Sequence, residues 1–122
     1  MQKGIGLTEE IKMAKLTMNT EIKGVAISKI AERYSTVEYF GETYVILDDA
    51  YLENDSFGEA VYFANAVKIN DEIDGDGYAP LYQIKWEIIN PEAEDGADAC
   101  DWDYAENIEK TATIEIKTRN IF

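Results

Sequence analysis

A chain of 122 residues, 46% hydrophobic and 11% aromatic, is long and apolar enough for one domain with its own core, which disordered acidic chains lack. Twenty-five acidic against 11 basic residues give a net charge of −14, which works against direct binding to nucleic acid or an anionic membrane and favours basic protein surfaces. The absence of histidine removes His-dependent triads and histidine zinc sites, and a single cysteine, Cys100, excludes an internal disulfide.

No apolar run matches a membrane span or a signal-peptide core, so the cytoplasm is the expected location. The charge is unevenly spread. Residues 1–37 carry six basic and four acidic side chains, a balance of +2, which leaves −16 for residues 38–122. One domain over 1–122 is expected, with a helical part at 1–35 and an acidic, strand-rich part at 36–122.

Taken in order, residues 1–35 have helical spacing. Thr8 is placed to cap a helix with Glu9 and Glu10 in its first turn and Leu7, Ile11, Ala14 and Met18 on one face. Asn19-Thr20 marks a break. A second helical stretch continues through Ile22, Ala26 and Ile30 to Tyr34, with Ser28 as an alternative cap. From Thr36 the period becomes two. Thr36–Phe40 and Thr43–Leu47 read as a hairpin, with Gly41-Glu42 suited to a tight II′ turn. Asp48–Gly58 reads as a polar connection and Ala60–Asn70 as a strand interrupted by Asn65.

Asn70–Pro80 reads as a loop, and Leu81–Ile89 as a strand antiparallel to the preceding one. In it Tyr82, Ile84, Trp86 and Ile88 alternate with polar residues. Thr111–Thr118 closes the chain as a strand. The fold class expected is α+β, with N-terminal helical segments packed on a mostly antiparallel sheet of about five strands.

Two stretches carry candidate chemistry. Glu72, Asp74 and Asp76, with Gly75 and Gly77, are spaced like the start of a calcium loop, although Gln83 stands where a bidentate glutamate is needed. A weak calcium site is the alternative to a solvated turn there; otherwise no cofactor is expected. The second stretch holds Glu92, Glu94, Asp95, Asp98, Asp101, Asp103, Glu106 and Glu109, with no Lys or Arg until Lys110. Such a run repels itself, yet Ala99, Cys100 and Trp102 within it suggest that it folds back on the core. Trp102 and Tyr104 amid carboxylates suit a partner's Arg or Lys, through cation–π contact with ion pairing. A charge of 14 corresponds to about 24 Å of duplex, at roughly 1.7 Å per charge, and a domain of this length is about 35 Å across. Catalysis finds little support, because acids beside Cys100 disfavour a thiolate and no carboxylate pair stands out.

The segment QIKWEIINPEAEDGADACDWD resembles small uncharacterised proteins carried on phages and plasmids of Gram-positive bacteria. A small, histidine-free, strongly acidic domain is also similar, as a class, to anti-restriction and anti-CRISPR proteins and to immunity proteins of nuclease toxins. The charge pattern, with this class resemblance beside it, leads to the expectation of a non-enzymatic inhibitor that blocks the cationic nucleic-acid surface of a partner by mimicry. The expected contact residues are Glu92, Glu94, Asp95, Asp98, Asp101, Trp102, Asp103, Tyr104 and Glu106, joined by Asp74 and Asp76. A calcium-binding module and an accessory structural protein of a mobile element are the alternatives.

Overall fold

A computed structural model describes residues 14–116. They open as an extended piece. Leu16 donates its N–H to the Asp71 carbonyl (2.8 Å) and accepts from the Asn70 N–H (2.9 Å), while the Ile73 N–H donates to the Ala14 carbonyl (2.7 Å). Thr17 and Thr20 then fold the chain over, since the Thr20 hydroxyl accepts from the Thr17 N–H at 2.9 Å. Strands β1 (Glu21–Ile22) and β2 (Val25–Ala26) form a minimal hairpin around Lys23-Gly24, whose φ values of 53° and 84° are those of a I′ turn. Helix α1 (Ile27–Tyr34) follows directly.

The remaining strands are β3 (Thr36–Tyr39), β4 (Glu42–Ile46), β5 (Tyr51–Asn54), β6 (Ala60–Lys68), β7 (Tyr78–Glu87) and β8 (Asn107–Glu115). They form one six-stranded antiparallel sheet in the order β3-β4-β6-β7-β8. Strand β5 lies on the same side of β6 as β4: residues 60–63 pair with β5 and residues 66–68 with β4.

The fold is therefore mostly β, which corrects the α+β expectation. Among the described residues there is one α-helix, and it lies within the chain at 27–34 instead of building an N-terminal helical layer. Thr8, Leu7 and Ile11, the supposed first helix, lie outside the described residues. For residues 14–26 the apolar spacing misled because local hydrogen bonding won. Threonine side chains satisfy backbone groups at 17–20, and the Lys23-Gly24 turn breaks any helical run.

Three smaller corrections concern the strands. The hairpin turn is Phe40-Gly41 (φ 51° and 80°), a I′ turn in place of the II′ turn at Gly41-Glu42. Strand β5 lies inside the expected polar connection. Strands β7 and β8 begin earlier than the alternation suggested, and β7 includes Pro80. Residues 78–81 pair only with β8, because pairing with β6 stops at Tyr82, so one side of β7 there has no ladder for the missing N–H to break.

The sheet is covered on both faces, and strand periodicity explains which side chain faces which cover. On one face Val37, Tyr44, Ile46, Ala64, Ala66, Ile84 and Trp86 pack with Ala99 and Cys100 from the β7–β8 connection. On the other, Val45, Val67 and Ala79 pack with Leu16, Ile22, Ile27, Ile73 and Ile116. Burying each of the valine, leucine and isoleucine side chains contributes about 1.5–3 kcal/mol, and each alanine about 0.8 kcal/mol.

Two turns of the sheet share one construction, an Asp-x-x-Gly-x loop. Asp55 Oδ1 accepts from the N–H groups of Phe57 (2.8 Å) and Glu59 (2.9 Å), and Gly58 takes φ 83°. Asp74 Oδ1 accepts from the N–H groups of Asp76 (2.9 Å) and Tyr78 (3.0 Å), and Gly77 takes φ 88°. These are bulged hairpin loops in which glycine supplies the left-handed residue.

The hydrogen bonds from Glu59 and then Phe57, with Lys85 Nζ at 3.5 Å, hold the Asp55 carboxyl below its ordinary range. A depressed folded-state value contributes stability above the unfolded value of about 3.9, and the contribution is lost as pH falls through the folded value. Asp55→Ala is therefore expected to unfold at lower urea than wild type at pH 7, with the gap narrowing below about pH 3.9. Urea titrations at both pH values check this. Phe40 holds a left-handed conformation that bulky residues disfavour, with its ring edge-on to Tyr39 at 4.6 Å. Phe40→Asn is expected to stabilise by about 0.5–1 kcal/mol in the same assay. A lower midpoint would mean that the ring contact outweighs the strain.

Candidate functional site

The acidic run is a folded cap over one face of the sheet. Beyond β7 the chain turns at Asn90-Pro91, where the Ala93 N–H donates to the Asn90 carbonyl at 3.1 Å. The N–H groups of Ile89 and Asn90 reach across to the Ala99 carbonyl at 2.9 and 3.1 Å, which closes residues 90–98 into a loop on the end of β7. A short 3-10 turn (Gly96–Asp98) leads into Ala99 and Cys100, both buried in the core. The chain rejoins the sheet where the Glu106 N–H donates to the Lys85 carbonyl at 2.7 Å, and β8 begins.

Two tryptophans clamp this cap. Trp86 of β7 is 1% exposed and donates its indole N–H to the Trp102 carbonyl at 3.1 Å. Trp102 donates in turn to the carbonyls of Gly96 and Ala97, both at 3.1 Å, so its ring spans its own loop. Its ring lies edge-on to Trp86 (4.8 Å) and Tyr62 (5.2 Å). Gly96 is closely approached: a Cβ there would lie 3.3 Å from the Tyr62 hydroxyl, which would have to give by a few tenths of an ångström. Trp102 is thus half-buried and holds the cap together, while Tyr104 is 75% exposed.

The other expected contact residues divide into two groups. Glu92, Glu94, Asp95, Asp98, Asp101, Asp103 and Glu106 all lie exposed on the cap, and Glu109 is exposed at the start of β8. Among the described residues only one of these eight, Glu106, has an ion-pair partner, Lys85 at 3.8 Å, and Lys85 also serves Asp55. Asp74 and Asp76 belong elsewhere. They lie on the β6–β7 loop before Tyr78, whereas the cap begins after Glu87, about 30 Å along β7.

Asp74 has a structural duty of its own as the acceptor of its turn, and Glu72 bridges to Lys15 through the backbone. Among the described residues no three carboxylate or thiol side chains converge as a metal site. Burial pushes the Cys100 thiol pKa up, so desolvation supplies the effect that the sequence reading assigned to neighbouring acids.

Sequence reasoning missed several apolar residues at the cap end of the sheet. Phe57 is 86% exposed on the β5–β6 turn, Ile89 is 63% exposed just past β7, and Leu52 is 58% exposed on β5. The β5–β6 hairpin and the end of β7 adjoin through the Val61–Glu87 pair, so Phe57 and Ile89 share an end of the sheet with the acids. The available signal was Phe57 within Asp-Ser-Phe-Gly, a large apolar residue in a turn where polar ones are usual.

Among the described residues no helix is long and apolar enough to cross a membrane. Comparison with protein-family models, curated protein sequences and solved structures finds no significant match.

The clamp has a measurable consequence. Trp102→Ala removes a packed indole and its one N–H, shared between two carbonyls, and is expected to cost about 2–4 kcal/mol of stability in urea unfolding. Brief proteolysis under native conditions is expected to cut the variant, and not the wild type, within residues 91–105. Equal resistance of the two proteins would show that the cap holds without its indole.

Proposed function

We propose that this protein is a non-enzymatic binding protein whose folded acidic cap occupies the cationic nucleic-acid-binding surface of a partner and excludes DNA or RNA from it. A host defence nuclease, a restriction enzyme, a CRISPR effector or a nuclease toxin is the kind of partner that fits. One observation carries the reading: eight carboxylates lie exposed on or beside a segment held by buried residues and backbone hydrogen bonds, with one ion pair among them. Their mutual repulsion is not relieved within the described part of the molecule, and a cationic surface would relieve it. Rigidity matters because a preorganised array loses less entropy on binding than a flexible tail.

Around the acids, Tyr104, Phe57 and Ile89 supply exposed apolar area of the kind that anchors an interface. Asp74 and Asp76 have no part in this face. The reading implies fast association, strongly weakened by salt.

The test uses the intact protein as bait in a bacterial lysate, beside a variant with Asp95, Asp98, Asp101 and Asp103 all changed to Asn. Wild type is expected to retain a nucleic-acid-binding protein that the variant does not. That protein should elute at moderate salt, and should also be released by short duplex DNA or RNA at low salt. Retention by both baits, or retention that neither salt nor nucleic acid reverses, would overturn the proposal.

A further inference from the structure

The opposite face of the sheet carries a second feature, which does not depend on the acidic cap. Between α1, the β1–β2 hairpin and the sheet lies a cleft of about 580 Å³. Its floor is apolar, formed chiefly by Ile22, Ile30, Leu81 and Ile114. Its rim is cationic: Lys23 from the hairpin turn, with Lys29 and Arg33 one helical turn apart on α1.

In a chain of net charge −14 this is a local reversal of sign. Residues 14–116 contain seven basic side chains (Lys15, Lys23, Lys29, Arg33, Lys68, Lys85 and Lys110), and three of them line this one opening. Lys68 and Lys85 are held by carboxylates, whereas Lys23, Lys29 and Arg33 form no ion pair with any described residue. The carboxylate that also lines the cleft, Asp48, is engaged by the backbone and side-chain N–H groups of Asn65 at 3.3 and 3.2 Å. Arg33 in addition lies over the Tyr34 ring at 5.3 Å, a stacking that leaves the guanidinium edge free to donate.

We propose that this cleft binds a small amphipathic anion, with an aliphatic body on the isoleucine–leucine floor and a single carboxylate-type head among Lys23, Lys29 and Arg33. The volume is that of a small-molecule site, which runs at about 300–1,000 Å³. A polyanion is excluded by the surrounding negative charge, which a single head group held among three cations feels much less. An uncharged apolar body would leave the cations unused. An anionic head makes charge-assisted hydrogen bonds with them, and these are roughly twice as strong as neutral ones.

The test titrates the isotope-labelled full chain with decanoate and with decanol, each below its aggregation limit, and follows backbone amide NMR shifts. Decanoate is expected to give saturable shifts centred on residues 22–34, Leu47, Leu81 and Ile114. Lys29→Glu combined with Arg33→Glu should weaken decanoate about tenfold or more and leave decanol within about twofold. Lys23→Gln, on an exposed turn, should weaken decanoate about threefold while leaving the remaining spectrum unchanged, which keeps the test valid if the double variant fails to fold. Shifts that do not saturate or that centre elsewhere, or equal weakening of both probes by these variants, would overturn the assignment.

Discussion

Strand β7 must serve two cores at once, and most of the architecture follows from that. Its even-numbered residues Ile84 and Trp86 enter the core beneath the acidic cap, while Ala79 and Leu81 enter the core beneath α1. Along β7 odd-numbered residues face one core and even-numbered residues the other, as regular strand alternation dictates. The register shift falls on the partner strand: Leu81 pairs with Ala112 and Tyr82 with Lys110, so Thr111 is an extra residue of β8. Even-numbered Ile108 accordingly packs on the cap core while even-numbered Ile114 packs on the α1 core. Pro80 sits beside the shift, where β7 has a partner on one side alone.

The distribution of charge is inseparable from this layering. Every acid of the cap points outward, and the cap is retained by neutral interactions: Ala99 and Cys100 in the core, indole-to-carbonyl hydrogen bonds, and backbone bonds to the two ends of the connection. Retention by burial and hydrogen bonds, with little help from ion pairs, makes the cap insensitive to salt while its outer surface remains sensitive to it. Three basic side chains, Lys23, Lys29 and Arg33, gather on the other face around the cleft, so the two faces present opposite chemistry to their surroundings.

Much of the strand pattern was legible. The alternation at Tyr82–Ile88 reports a strand with Trp86 inward, and Thr36–Phe40 with Thr43–Leu47 reports a hairpin, because side chains that alternate between core and water leave a period of two in the chain. Strand β5 was illegible: Tyr51, Leu52, Glu53 and Asn54 are all exposed, so no burial pattern marks them, and only the ladder to Tyr62 and its neighbours makes them a strand. The N-terminal segment misled for the complementary reason. Ile22, Ala26 and Ile30 fall at helical spacing, but Ile22 is buried from a two-residue strand and Ile30 packs, half-buried, from the helix.

Composition and order along the chain determined that this is an acidic domain without histidine chemistry, that its acids are concentrated after Pro91, and that apolar residues within that run would fold it back. These are properties of residue type and near-neighbour spacing, which need no partner in space. Tertiary structure alone decided that Trp102 is a clamp, that Asp74 caps a turn far from the acidic cap, and that Lys23, Lys29 and Arg33 converge on one cleft. Each depends on which distant backbone lies opposite, a matter of sheet register and packing that one-dimensional periodicity does not encode.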